Sequence, residues 1–268
     1  MQGGSLYFAN SLFRVFAGDC TVGAVNNTEY FSLDYVSVAK TWYKPSWWPH
    51  SDKDPTVVVI YVGGMGSHFE CNLATMRYIS KTYFDGLHTM ALYTFDGMSF
   101  LTIDQYAESL KKLYDEIVAK YPQSIIFGMG HSLGTGMLCK LATERPLDGL
   151  VLYNPFQRPI DIVANQDNHT FLQNMTMKIM SWFMGGTLDS DSNIQKVLQK
   201  SSKNFLLFVY VSNQDHVIPN RFGRALAETA RKRVGTSVYL YSHDGSHSEI
   251  LHEHIQRQIH ETINNELL

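Results

Sequence analysis

The sequence predicts an α/β protein built on a doubly wound, mostly parallel sheet. Three observations carry that expectation. Continuous apolar runs such as residues 56–62 (TVVVIYV) and 205–211 (FLLFVYV) suit parallel strands covered on both faces. These runs alternate with helical patterns along the chain. At 268 residues the chain can bury a full core as one domain.

Taken in order, residues 29–44 (EYFSLDYVSVAKTWYK) are β-branched and aromatic with partial alternation, which predicts two antiparallel strands at a sheet edge. Residues 45–55, with Trp47, Trp48 and three prolines, predict a loop. The strand at 56–62 ends in Gly63-Gly64-Met65-Gly66-Ser67, and a strand at 87–95 ends in Asp96-Gly97-Met98-Ser99. Thr102 and Gln105 form a capping box for a helix whose stripe is Ile103, Tyr106, Leu110, Leu113, Ile117 and Tyr121. Pro122 ends it. Further strands are expected at 149–153, 205–211 and 237–241, the last before a final helix.

Between Asn154-Pro155 and Lys203 this rhythm lapses. The segment, about 155–203, is expected to form a small cap insertion, and its part MTMKIMSWFMGG (175–186) is rich in methionine and aromatics. Met180, Phe183 and Met184 are the residues expected to line a substrate pocket there, since such side chains make an adaptable apolar surface. The same stripe would also suit a helix packed on the core.

Composition excludes several classes. Hydrophobic residues at 44% and charged residues at 18% fit an ordinary globular protein. Net charge is −3, and the basic clusters Lys111-Lys112 and Arg231-Lys232-Arg233 lie in helical patterns, so nucleic acid is not an expected partner. The three cysteines (Cys20, Cys71 and Cys139) are too few and scattered for a disulfide framework or a metal site. No apolar run is long enough for a membrane span, and the N-terminus lacks the pattern of a signal peptide. A cytoplasmic location is the expectation.

The chemistry centres on residues 123–136, QSIIFGMGHSLGTG. A strand that breaks into a helix at Gly130-His131-Ser132-Leu133-Gly134 is a nucleophile elbow. It exposes Oγ of Ser132 at a helix N-terminus, where the amide dipoles favour developing negative charge. Side chains at Gly130 and Gly134 would collide with the neighbouring strand and helix. A serine hydroxyl needs a base to take its proton and a third group to orient that base.

The acid should follow a late strand, and Asp215 in Ser212-Asn213-Gln214-Asp215-His216-Val217-Ile218-Pro219 does so. Asp161 is the runner-up. The base should follow the last strand, where His243 and His247 both stand. His247, after a Gly-Ser turn, is better placed to swing over the sheet; His243, nearer the strand end, reads as structural. The oxyanion of acyl transfer needs fixed N–H donors, expected from the amides of Leu133 and Met65. Gly63, Gly64 and Gly66 would let the backbone around Met65 approach a substrate closely.

Over roughly residues 29–266 the chain resembles the α/β-hydrolase superfamily, and within it the monoacylglycerol lipase, lysophospholipase and acyl-protein thioesterase-like serine hydrolases. Gly130 to Gly134 is similar to their G-H-S-x-G, residues 212–219 to their acid loop, and Gly245-Ser246-His247 to their G-x-H. The chain departs from them at Gly63-Gly64, where they usually carry His-Gly. The resemblance implies a catalytic triad of Ser132, Asp215 and His247 that cleaves carboxylic esters or thioesters, favouring lipid-like acyl groups. It implies no metal or organic cofactor, and peripheral contact with lipid as the partner surface. A peptidase or acyltransferase on the same fold, and a ligand-binding protein that keeps the triad, are the alternatives.

Overall fold

The computed structural model describes residues 28–33, 36–43, 55–64, 90–95, 103–160, 188–200, 205–232, 236–249 and 253–267. Strands β1 (Thr28–Leu33) and β2 (Val36–Tyr43) precede β3 (Val57–Val62) and β4 (Met90–Phe95). Helix α1 (Ile103–Lys120), strand β5 (Ile125–His131), helix α2 (Leu133–Glu144) and strand β6 (Gly149–Tyr153) follow. Then come α3 (Ser190–Lys200), β7 (Leu206–Ser212), α4 (Asn220–Arg231), β8 (Ser237–His243) and α5 (Glu253–Leu267).

The strands form one sheet in the order β1-β2-β4-β3-β5-β6-β7-β8. Strands β1 and β2 pair antiparallel at the edge, β2 pairs antiparallel with β4, and the remaining pairs are parallel. The chain has an α/β-hydrolase fold.

All six residues of β3 and all seven of β7 are buried. Alternation along the strands divides the core in two. Val58, Ile60 and Val62 pack with Leu110 and Leu113 of α1, Leu138 of α2, Ile194 of α3 and Leu226 of α4. Val57, Val59 and Tyr61 face the other way, with Phe127 and Met129, against Ile255, Ile259 and Ile263 of α5. Each helix contributes one apolar stripe at helical spacing. The α1 stripe expected from Ile103 to Tyr121 is buried throughout. Among the described residues, no helix is long and apolar enough to cross a membrane.

Helix α3 lies inside the segment that the sequence assigns to the cap. It belongs to the core: Leu188, Ile194 and Val197 are buried beside Met137 and Leu138. Its buried face also carries Ser190 and Asn193, which weakens the apolar period that would announce it. Residues 161–187, with Asp161, Met180, Phe183 and Met184, lie outside the described residues, as do Thr102 and Met65.

Candidate active site

Parallel strands deliver their following loops to one end of the sheet. Gly63-Gly64 leave β3 there, Ser132 leaves β5, Asn154 leaves β6, Asp215 follows β7 and His247 follows β8.

Ser132 takes φ 53° and ψ −119°, a left-handed conformation that few non-glycine residues adopt. The turn is locked on both sides. The Ser132 N–H donates to the Tyr153 carbonyl at 3.0 Å. The Ser132 carbonyl accepts from the Thr135 amide at 3.0 Å and from Thr135 Oγ1 at 2.6 Å. Glycine is required beneath it, because a Cβ on Gly134 would stand 2.0 Å from the Val62 carbonyl oxygen. A Cβ on Gly130 would lie 2.9 Å from the backbone of Gly134 and Thr135. Leu133 opens α2, so its N–H belongs to the first turn, where amides have no intrahelical acceptor. A Cβ on Gly64 would lie 3.2 Å from Ser132 Cβ, so the loop that leads to Met65 runs against the elbow.

Asp215 is buried, and its carboxylate is held from two directions. Oδ1 accepts the amides of Val217 at 2.8 Å and Ile218 at 2.7 Å. Oδ2 accepts Nδ1–H of His247 at 2.6 Å. The Asp215 side chain has no exposed surface, whereas that of His247 retains 16%. With Nδ1 carrying the proton toward Asp215, Nε2 of a neutral His247 is left with a free lone pair.

His243 is occupied elsewhere. The Gly245 amide donates to its Nδ1 at 2.9 Å, so the ring proton sits on Nε2 and donates to Ser212 Oγ at 2.6 Å. The ring is buried, 4.7 Å from that of Tyr210. Cys139 is also buried, and burial pushes its thiol up to about 12, which keeps it from acting as a thiolate nucleophile.

Two residues not singled out as site residues in the sequence stand beside His247. Nε2 of His131 and Nδ2 of Asn154 both donate to the His247 carbonyl, at 2.9 Å and 2.8 Å. A carbonyl only accepts, so His131 carries its proton on Nε2. Burial, and then the neighbouring His247, hold its pKa down to about 4, so the ring is neutral. The one sequence signal for Asn154 is an asparagine at a strand end before proline, a residue that tolerates the left-handed φ of 49° it adopts.

Comparison with known proteins agrees with this architecture. The family model described as serine aminopeptidase, S33, matches residues 98–204. No match is found among curated proteins. Est1E from Butyrivibrio proteoclasticus superposes with a TM-score of 0.65 at 13% identity, over 90% of this chain and 99% of that one. The Pyrococcus furiosus esterase Pf2001 gives 0.63 at 16% identity, over 92% and 95%. The Pyrococcus horikoshii acylaminoacyl peptidase gives 0.62 at 12% identity, over 90% of this chain but 41% of its own. At such identities the superpositions establish the fold alone. With the family match over residues 98–204 added, these findings support an enzyme of the serine hydrolase class on an α/β-hydrolase fold.

Proposed function

We propose that the protein hydrolyses carboxylic esters or thioesters, with lipid-like acyl groups favoured, through an acyl-enzyme on Ser132. The observation that carries this reading is the 2.6 Å contact between His247 Nδ1 and Asp215 Oδ2 at the same sheet end as the strained Ser132. Oγ of Ser132 attacks the carbonyl carbon while its proton passes to Nε2 of His247. Asp215 orients the ring and stabilises the imidazolium. The amides of Leu133 and Met65 hold the oxyanion, each worth about 3 kcal/mol. Collapse of the tetrahedral intermediate expels the alcohol or thiol, which takes the proton from His247. Water then attacks the acyl-enzyme by the same route and releases the acid.

Met180, Phe183 and Met184 in the cap would meet the acyl chain, where each buried methylene adds about 0.8 kcal/mol. A lipid-like substrate brings peripheral contact with a lipid surface, and the scattered cysteines support a cytoplasmic setting. A peptidase is the second reading, favoured by the aminopeptidase description of the matching family. The test is fluorophosphonate labelling and turnover of matched ester, thioester and peptide substrates by the parent and by Ser132→Ala. Labelling and ester or thioester turnover lost together in the variant support the proposal. Peptide turnover with inert esters supports the second reading, and an active variant sinks both.

A further inference from the structure

We propose that His131 and Asn154 are positioning residues that clamp the backbone of His247, so that the base is located by its carbonyl as well as by its ring. The proposal rests on the reading of His247 as the base. Asp215 fixes which way the imidazole points. It does not by itself fix the height of the His247 backbone above the sheet, because the residue sits in a loop beyond β8.

The clamp supplies that missing coordinate, and its two jaws are anchored to the nucleophile. His131 is the last residue of β5 and is bonded directly to Ser132. Asn154 follows Tyr153, whose carbonyl receives the Ser132 amide at 3.0 Å. Asn154 is itself pinned on every polar group named here. Its N–H donates to the Tyr210 carbonyl at 2.8 Å, and its Oδ1 accepts the Ser212 amide at 2.8 Å. Its Nδ2 is thereby aimed at the His247 carbonyl, at 2.8 Å. The His131 ring, 4.8 Å from that of His247, donates to the same oxygen at 2.9 Å. One carbonyl thus ties the base loop to the ends of β5 and β6, and through Ser212 to the end of β7. A His131 that stays neutral keeps this bond without placing a positive charge beside the imidazolium formed in turnover. Misplacing a catalytic group by about 1 Å can cost roughly 100-fold in rate.

The experiment compares kcat and KM on a soluble short-chain ester for His131→Phe, His131→Gln, Asn154→Gly and His247→Ala, with melting temperature as the check on folding. His131→Phe keeps a ring but removes the donor, while His131→Gln restores an N–H near the position of Nε2. Asn154→Gly keeps the left-handed backbone and removes the amide. The expected result is a 10- to 100-fold fall in kcat for His131→Phe and Asn154→Gly with KM nearly unchanged, and recovery of most of it in His131→Gln. In a His247→Ala background the same substitutions should change the residual rate less than twofold, because no base remains to be positioned. The clamp is overturned if His131→Phe keeps kcat within twofold of the parent, or if His131→Gln is as slow as His131→Phe. Equal losses with and without His247 would also overturn it, as a general structural effect. A fully active His247→Ala would remove the base reading itself. If Asn154→Gly fails to fold, the His131 pair decides the matter alone.

Discussion

Asp215 divides its carboxylate between the backbone and His247. Oδ1 is taken by the amides of Val217 and Ile218, and Oδ2 alone meets His247 Nδ1, at 2.6 Å. An amide in place of that carboxylate keeps the shape but loses the charge, and it can present a donor to the imidazole. Asp215→Asn should therefore lower kcat by about three to four orders of magnitude, and His247→Ala at least as much. Steady-state kinetics on one soluble ester, with the folded fraction checked by circular dichroism, measures both. Parent-like turnover by either variant contradicts the triad.

His243 should behave in the opposite way. Its loss leaves Ser212 Oγ and the Gly245 amide without their partner in a buried site, at a cost of about 1–3 kcal/mol. His243→Ala should show a lower urea midpoint while the fraction that remains folded turns over ester within a few-fold of the parent. Should that variant be inactive and His247→Ala active, the two histidines have been assigned the wrong way round.

Gly134→Ala tests the elbow without touching a reacting group. The new methyl would lie 2.0 Å from a backbone carbonyl oxygen of β3, which cannot swing aside as a side chain can. A destabilisation of about 3 kcal/mol or more is expected, together with lost fluorophosphonate labelling. A variant with the parent's melting temperature and labelling rate would show that the strand and helix can separate there.

His131 sets a pH dependence of stability. Its ordinary value of 6.5 is depressed to about 4, so the unfolded chain binds a proton that the folded one refuses. Stability from this group is complete above pH 6.5, falls through the window down to pH 4, and is level below it. The full loss amounts to roughly 3 kcal/mol, about 2 kcal/mol of it by pH 5. Denaturant titrations at pH 7.5 and pH 5 on the parent and on His131→Gln isolate this share, since the variant should lose less on acidification. Identical losses in the two proteins would rule out a proton-refusing His131.

The proposed cap sets the expected dependence on acyl length. Met177, Met180 and Met184 recur at i, i+3 and i+7, a spacing that on a helix would put all three on one face, and the proposal sets that face along the acyl chain. Catalytic efficiency should climb from acetyl to medium-chain esters, and polar substitution at Met180 and Met184 should flatten the climb while sparing acetyl turnover. A parent enzyme that prefers acetyl esters refutes the lipid-acyl assignment.

Much of this architecture can be read locally in the chain. The runs at 57–62 and 206–212 are apolar without interruption because each is covered on both faces, and the glycines around Ser132 mark the turn because nothing larger fits. Asp215 and His247 are legible from their places after β7 and β8. His131 and Asn154 are not, because their bonds reach a backbone carbonyl 116 and 93 positions away, and a backbone acceptor leaves no residue type to match. Helix α3 escapes notice for a different reason: two of its buried positions are Ser190 and Asn193.

Strand β8 reaches its place beside β7 only after α4 has crossed the sheet, with Ser212 opposite His243 in register. Each parallel pairing closes a long loop before its contacts repay the lost chain entropy, which makes such sheets slow to assemble. Secondary structure should therefore return early when the denatured chain is diluted into buffer, and the site should return late. Stopped-flow circular dichroism should lead, with reactivity of Ser132 toward a fluorophosphonate lagging until β8 has docked. On the proposed mechanism, reactivity at the Ser132 hydroxyl should then report when this end of the sheet has assembled.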